Sequence, residues 1–344
     1  MKTKLISLFG VIILISMCLV LGTSNANAAD KNYILKFQLS MGPMHPISKA
    51  VRELAPSVKK MSDGRLEIKV YDSGVLVGQE GQLMSVEKNV VDISIWWAMR
   101  QAKTIPFVNV GVMPLVYQNS ATTIQTWKGG ELCDLLEEEL IAKGYKNVGV
   151  GRPFLWGFFG LGFVDKEVHV PSDLKGLKML VRGDPTTNFI KSYGGAVVST
   201  LRTSGVYEAL SRGIIDGTWG TRGNFIDYKW MEPCKYYLNY PFCDSQTFLL
   251  WNKPKVNAMP QYLREIVYNF LESCARELSL IPYMVAENAL PVLSENMKIY
   301  TPTPSEAKQW TEGRSKIIDD FLKITGERGD KAMEIIQKYN KPSM

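Results

Sequence analysis

Apolar and polar positions alternate with two different periods between residues 170 and 220. Three short apolar runs there have strand character, and they occupy residues 178–182, 196–199 and 214–216. Two segments of helical period separate these runs, and their boundaries are marked by Asp184, Pro185, Gly194, Gly195 and Ser204. The order strand, helix, strand, helix, strand predicts a parallel, doubly wound sheet, in which ligands bind at the carboxyl ends of the strands.

The same order of elements occurs nearer the amino terminus. Strand-type runs occupy residues 34–40, 65–74 and 90–98. Helical segments lie between them, and the first contains Pro56, where we expect a kink or a restart. Two units of this kind predict two lobes of similar architecture without any repeated sequence. The chain first crosses between the lobes at residues 149–160.

The second half of the chain predicts one more strand and several helices. Residues 245–251 have strand character, and a long helical pattern runs from Pro260 to Met297 with Pro282 inside it, where we expect a bend. Two shorter amphipathic helices follow. We expect the two lobes to divide the chain as residues 29–152 with about 241–280, and residues 153–240 with about 281–344.

The amino-terminal segment has the features of a secretory signal peptide. Lys2 and Lys4 precede an apolar run at residues 5–21, and the small residues 26–28 follow it. We expect cleavage after Ala28, which places the mature protein in the periplasm. Cleavage removes two lysines and no acidic residue, so the formal charge falls from +6 to +4. This mild positive charge does not indicate nucleic acid binding, but it suits a protein that meets anions.

Four cysteines remain in the mature chain. Cys133 and Cys274 lie in helical patterns and are interpreted as core thiols. Cys234 and Cys243 flank eight residues, close enough for a disulfide in an oxidising compartment, and the sequence leaves open whether they are bonded. No CxxC pair is present and the chain has two histidines, so we expect no metal site.

Few residues of this chain could support catalysis. Its composition, with 46 % apolar and 22 % charged positions, is that of a soluble globular protein, and no GxSxG motif is present. Asp72 and Asp216 both precede turn residues, but the glycine after Asp216 stands in the wrong place for an aspartic protease dyad. We therefore expect no catalytic residue and no cofactor, and a secreted hydrolase remains as the alternative from the enzyme class.

Several short motifs follow one another in an order typical of one receptor family. They are HP at 45–46, GRLEIKV at 64–70, GQE at 78–80, VVDI at 90–93, MPLVY at 113–117, DLKGLK at 173–178, VYEAL at 206–210 and IIDG at 214–217. Over nearly the whole mature chain, this set resembles the DctP-type solute-binding proteins of TRAP (tripartite ATP-independent periplasmic) transporters. The resemblance implies a two-lobed periplasmic-binding-protein fold, in which each lobe is a doubly wound mixed sheet flanked by helices and a long bent helix joins the lobes.

The resemblance also implies a function. Such receptors close over small carboxylates and pass them to TRAP-type membrane permease subunits. The family's ligand-binding arginine falls where this chain has Leu180, and the nearest arginine is Arg182. Residues two apart on a strand share a face, so Arg182 keeps that orientation about 6–7 Å further along. It either anchors the ligand or is a solvated charge at the rim.

Tryptophans and polar side chains complete the expected site. We expect four tryptophans at strand ends to line one cleft, namely Trp96, Trp97, Trp156 and Trp219. The polar candidates are Arg222, Arg152, Asn224, Arg100 and Arg202, with His45 and Glu80, for which holding a loop and capping a helix are the alternative roles. An aromatic cleft without the family arginine favours a monocarboxylate with an apolar or aromatic part over a short dicarboxylate. A sensory subunit that uses the same lobes is the other reading.

Overall fold

The computed structural model describes residues 31–201 and 203–340. The predicted signal peptide and Arg202 lie outside the described residues. The strands are β1 (Tyr33–Gln38), β2 (Leu66–Tyr71), β3 (Ile93–Trp96), β4 (Val148–Val150), β5 (Phe154–Phe163), β6 (Lys178–Leu180), β7 (Ala196–Val198), β8 (Gly217–Thr221), β9 (Tyr236–Asn252) and β10 (Lys298–Tyr300). The helices are α1 (Pro46–Met61), α2 (Gln82–Glu87), α3 (Ser120–Lys128), α4 (Glu131–Ala142), α5 (Asp184–Ser192), α6 (Val206–Ser211), α7 (Arg222–Asp227), α8 (Lys253–Asn257), α9 (Gln261–Asn296), α10 (Pro304–Glu312), α11 (Arg314–Thr325) and α12 (Glu327–Asn340).

The strands form one mixed sheet with the order β2-β1-β3-β9-β5-β8-β6-β7, and β4 and β10 also pair with β9. At one end β1 runs parallel to β2 and β3, and at the other β6 runs parallel to β7 and β8. Between these groups, β5 and β9 are antiparallel to each other. The two predicted parallel units are therefore confirmed, and two antiparallel strands connect them.

β9 is the strand that the sequence predicts least well. It contains 17 residues, whereas only residues 245–251 are expected to form a strand. Its first part pairs with β5 and β10 and its last part with β3 and β4. Its first part contains Asn239 and Pro241, which are unfavourable in strands, so local pattern does not indicate a strand there, and backbone hydrogen bonds to its neighbours decide the conformation. β9 thus runs through both halves of the sheet.

Three clusters of buried apolar side chains hold the described elements together. One packs β1 and β3 against α1 and α9 and includes Phe37 and Phe270. A second surrounds β6, α6 and α7 and includes Leu180 and Phe225. The third and largest extends from α4, on the first half of the chain, to Trp310 of α10. The two halves of the sheet therefore share a core on this face.

Helix α9 bridges the two halves on the other face. It contains 36 residues, with Pro282 and Pro291 inside it, and it packs against α1 and β5 as well as α7. A proline removes an N–H donor and crowds the preceding turn, which bends a helix. The predicted long bent helix is confirmed, whereas α1 continues past Pro56 without a restart. None of the described helices is long and apolar enough to span a membrane.

The cysteines at residues 133, 234, 243 and 274 are buried free thiols. Cys234 packs in the cluster with Phe225, while Cys243 on β9 belongs to the largest cluster. Because they face different cores, the alternative in which they form a disulfide is not the one in this structure. Burial raises the pKa of the Cys234 thiol to about 12, so it stays protonated.

Candidate functional site

A stacked pair of tryptophans lies where β3 ends and β5 begins. The rings of Trp97 and Trp156 are 5.0 Å apart with an interplanar angle of 24°. Nε1 of Trp97 lies 3.3 Å from Oγ of Ser40, and Nε1 of Trp156 donates to Oγ1 of Thr247 at 2.8 Å. Both tryptophans are half-buried and both indole N–H groups are used within the protein. This aromatic pair therefore offers a ligand apolar ring surface rather than a hydrogen-bond donor.

His45 extends this surface from the start of α1. Its Nδ1 accepts a hydrogen bond from the backbone N–H of Ile47 at 3.1 Å, which caps the helix, and its ring lies 6.2 Å from that of Trp156. Burial lowers the pKa of His45, and the charge of Asp227 opposes this. Burial likewise raises the pKa of Asp227, and His45 opposes that shift. The start of α1 and the end of α7 thus face each other, and His45 is neutral at neutral pH.

Arg182 lies just beyond the end of β6. It is half-buried, and its Nη2 lies 3.4 Å from the hydroxyl of Thr203. Burial lowers its pKa, the positive charge of Arg100 lowers it further, and Tyr228 opposes both effects. A guanidinium remains protonated in spite of such shifts. Arg182 is therefore a partly desolvated cation whose hydrogen bond goes to a neutral hydroxyl.

Arg100, from the other half of the molecule, lies close enough to Arg182 for its positive charge to lower the pKa of Arg182. Its Nη1 donates to Oε1 of Glu80 at 2.8 Å, and the backbone carbonyl of Glu80 accepts a hydrogen bond from Gln101 at 3.1 Å. The two charged side chains are exposed, with 43 % and 73 % of their surface accessible. We call Glu80 and Arg100 the rim pair.

The prediction that four tryptophans line one cleft is wrong for Trp96. This side chain has no accessible surface, packs against Phe248 at 5.9 Å and donates its indole N–H to Gln101. Consecutive residues of a strand point to opposite faces, so when Trp97 faces the cleft, Trp96 must enter the core. Trp219 is 6 % exposed and packs against Phe159 at 5.0 Å. The structure therefore brings together two of the four tryptophans.

Three other candidate residues have partners within the protein. Arg222 donates to Oδ1 of Asn239 at 2.9 Å, and Arg152 forms an ion pair with Glu272 of α9 at 2.6 Å. Asn224 exchanges hydrogen bonds with Thr221 in a capping box at the start of α7. These contacts hold the elements that flank the cleft. Any contact of these three side chains with a ligand stays a prediction.

The structure places Leu180, the position that the resemblance pairs with the family arginine, in an apolar core. It is 2 % exposed and packs with Val206 and Leu210 in the cluster around β6 and α6. A guanidinium at this place would lie in an apolar core without a counter-charge. β6 ends at Leu180, so the alternation of strand faces does not extend to Arg182. The side chain of Arg182 therefore need not point into the same core as Leu180.

The sequence analysis did not single out two buried polar residues of β9. Asp244 is fully buried and Gln246 is 4 % exposed, on the same side of the strand. Burial raises the pKa of Asp244 to about 7, although the backbone N–H groups of Gly157 and Ser245 oppose the shift. The polar run CDSQT within an apolar strand is the signal that points to them. They lie where β9 passes from one half of the sheet to the other.

Comparison with known proteins places this architecture in a family. The model of the DctP family, bacterial extracellular solute-binding protein family 7, matches residues 37–324. A solute-binding protein of Albidiferax ferrireducens is 28 % identical over 189 residues, and one of Chromohalobacter salexigens is 26 % identical over 196 residues. These matches cover 54 % and 57 % of this chain, and the chain spans about half the length of the two relatives, 53 % and 57 %. The C4-dicarboxylate-binding periplasmic protein DctP of Rhodobacter capsulatus is 22 % identical over 306 residues, which cover 85 % of this chain and 87 % of that protein.

Solved structures share the fold. A TRAP periplasmic solute-binding protein from Ochrobactrum anthropi superposes with a TM-score of 0.80 at 19 % identity, covering 90 % of this chain and 96 % of that one. DctP7, an extracytoplasmic solute receptor of Bordetella pertussis that binds pyroglutamic acid, superposes with a TM-score of 0.75 at 20 % identity, covering 88 % and 99 %. The chain therefore belongs to the DctP family of bacterial extracellular solute-binding proteins, family 7.

Proposed function

We propose that this protein is the solute-binding receptor of a TRAP-type transporter. In this proposal the mature chain, released after Ala28, works in the periplasm, captures a small organic anion between its lobes and delivers it to the membrane permease subunits. Membership of the DctP family and the fold shared with TRAP receptors support this role. Proteins of this family bind solutes, and the proposal includes no catalytic step and no cofactor.

The environment of Arg182 is the single observation on which the proposal mainly depends. A half-buried guanidinium has lost part of its hydration, and its hydrogen bond to the hydroxyl of Thr203 does not neutralise it. A carboxylate of the ligand would supply the missing charge, with two oxygens that match the planar fork of an arginine. We therefore assign Arg182 as the anchor of the anionic group.

The aromatic pair determines which carboxylates fit. Trp97 and Trp156 present ring surface beside His45, so the rest of the ligand meets mainly apolar and aromatic groups. Relatives of similar fold hold pyroglutamate in Bordetella pertussis, D-glucuronate in Chromohalobacter salexigens and β-D-galacturonate in a Sulfitobacter species. Each of these ligands is a ring with one carboxylate. A cyclic or partly apolar monocarboxylate is the ligand class that we propose.

The remaining candidates take supporting roles in this proposal. Trp219 backs the wall of the second lobe, while Arg222, Asn224 and Arg152 hold α7 and the crossing segment in place. The lobes, divided as the sequence predicts, would close about β5, β9 and the bent helix α9, which are the elements that run between them.

A ligand screen tests this function. The purified mature protein is examined by mass spectrometry for co-purified anions, and its melting temperature is then measured with pyroglutamate, D-glucuronate, D-galacturonate and L-gulonate. A ligand that binds the native state stabilises it in proportion to the logarithm of its concentration, so a hit raises the melting temperature progressively. Incubation should return the ligand unchanged. Turnover of a bound anion, or the absence of any bound or co-purified anion, would contradict the proposal.

A further inference from the structure

The rim pair includes Arg100, whose charge acts on the proposed anchor Arg182, but the role of the pair is not part of the proposed function. Glu80 lies on the 3-10 turn Gln79–Gly81 and Arg100 on the 3-10 turn Ala98–Gln101, and Gln101 ties the two turns together. Because both charged side chains are exposed, their ion pair adds little to the stability of the fold. Its charges are therefore not needed to hold the fold, and both are accessible to a solute.

Arg100 and Arg182 differ in whether an acidic side chain pairs with them. Arg100 is paired with the carboxylate of Glu80 at 2.8 Å, whereas Arg182 contacts the neutral hydroxyl of Thr203. Among the other carboxylates, Asp227 lies near His45, Asp244 is fully buried on β9 and Glu272 pairs with Arg152. Without a ligand, the charge of Arg100 is therefore compensated by a carboxylate. The charge of Arg182 is not compensated by a carboxylate of the described residues.

We infer that Glu80 selects the charge of the ligand: by occupying Arg100 it leaves one guanidinium for an anion, so that the cleft takes monoanions and rejects dianions. This inference rests on the proposed function. The first carboxylate of a dianion would pair with Arg182, but the second would find Arg100 occupied and would meet the like charge of Glu80. Specificity of this kind comes from a repulsive element as much as from an attractive one.

Two substitutions of the rim pair distinguish charge selection from a structural role. Glu80→Gln frees Arg100 as a second cationic contact, so the affinity for dianions should rise relative to monoanions. Arg100→Gln leaves Glu80 unpaired, so the affinity for dianions should fall further. Both variants break the same ion pair, and a merely structural role would therefore move the two in the same direction. Glu67→Gln, which breaks the exposed ion pair with Lys59 on the same half of the molecule, is the matched control.

The experiment measures the affinity for matched anions by calorimetry. The pairs have equal carbon number and differ in charge: D-glucuronate with D-glucarate, D-galacturonate with galactarate, and pyroglutamate with glutarate. In each pair that binds, the native protein should prefer the monoanion by about tenfold or more. Glu80→Gln should reduce this preference by about tenfold, Arg100→Gln should increase it, and Glu67→Gln should leave it unchanged.

Two results would overturn the inference while leaving the proposed function intact. One is a native protein that binds the dicarboxylate as tightly as its monocarboxylate partner. The other is a preference that both rim variants shift in the same direction or by less than about twofold. A protein that binds neither member of any pair, and carries no co-purified anion, would overturn the proposed function and this inference with it.

Discussion

The two walls of the proposed cleft differ in what they offer a ligand. On the first wall, the indole N–H groups of Trp97 and Trp156 and the Nδ1 atom of His45 are engaged by groups of the protein itself. On the second, Arg182 keeps a charge that no acidic side chain of the described residues is seen to pair with. One wall therefore supplies shape and the other supplies charge. In the proposed receptor a ligand satisfies both only when the lobes close on it, which links binding to closure.

Removing the charge from the second wall should have the largest effect on binding. Breaking a buried, charge-assisted contact costs about 2–5 kcal/mol, so Arg182→Ala should lower the affinity for a confirmed carboxylate by a factor of tens to thousands. Arg182→Lys should restore part of the affinity, because an ammonium group supplies the charge but not the planar fork. Calorimetry at physiological salt measures both.

An exposed arginine on the same half of the molecule is the control for that substitution. Arg212 pairs with Glu208 on α6 and is largely exposed, so Arg212→Ala should leave the affinity unchanged. If Arg182→Ala binds within about threefold of the parent, the difference is under about 1 kcal/mol and Arg182 is no anchor. Arg222 would then be tested next.

In the core, the buried Asp244 of β9 should make the stability of the fold depend on pH. Its pKa is about 7 in the folded protein, above the usual value of 3.8, so between these two values the folded state holds one more proton than the unfolded chain. The free energy of unfolding should therefore fall as pH rises through that window and level off above it. Chemical denaturation of the native protein and of Asp244→Asn, at about pH 5 and about pH 8, measures the effect.

Asp244→Asn removes the group that titrates, so the variant should gain stability over the parent toward the higher pH. Asp165→Asn, at an exposed carboxylate paired with Lys235, is the control and should not change the slope. A parent protein whose stability rises across this window, or a variant with the same slope as the parent, would contradict the assignment.

Removing an aromatic ring from the first wall should have a smaller effect on binding than removing the charge of Arg182. Loss of one face of a stacked pair removes apolar contact worth about 1–2 kcal/mol, so Trp97→Ala should lower the affinity about tenfold and alter the tryptophan fluorescence change on binding. Trp96→Phe tests the opposite face of the same strand. It should lower the melting temperature through lost core packing and leave the affinity unchanged. Equal effects on affinity from the two variants would contradict the placement of Trp97 in the cleft.

The fold is largely predictable from local patterns because each parallel unit contains its own signals. The apolar runs that become β6 and β7, and the residues that open and close α5, lie close together in the sequence. The order of the family motifs then indicates how the two units combine. By contrast, the first part of β9 has no local strand pattern. Its conformation depends on hydrogen bonds to β5 and β10, which lie far away along the chain.

The sequence by itself determined that this chain forms two α/β units of the DctP type, because the order of the elements and of the motifs can be read directly along the chain. Only the tertiary structure decided which of two neighbouring tryptophans is fully buried, since the period of a strand sends Trp96 and Trp97 to opposite faces without saying which face is buried. The tertiary structure also decided the environment of the charged Arg182. Sequence spacing puts Arg182 near a strand end, but the burial of its side chain, its hydroxyl partner and the position of Arg100 opposite it depend on contacts between distant segments.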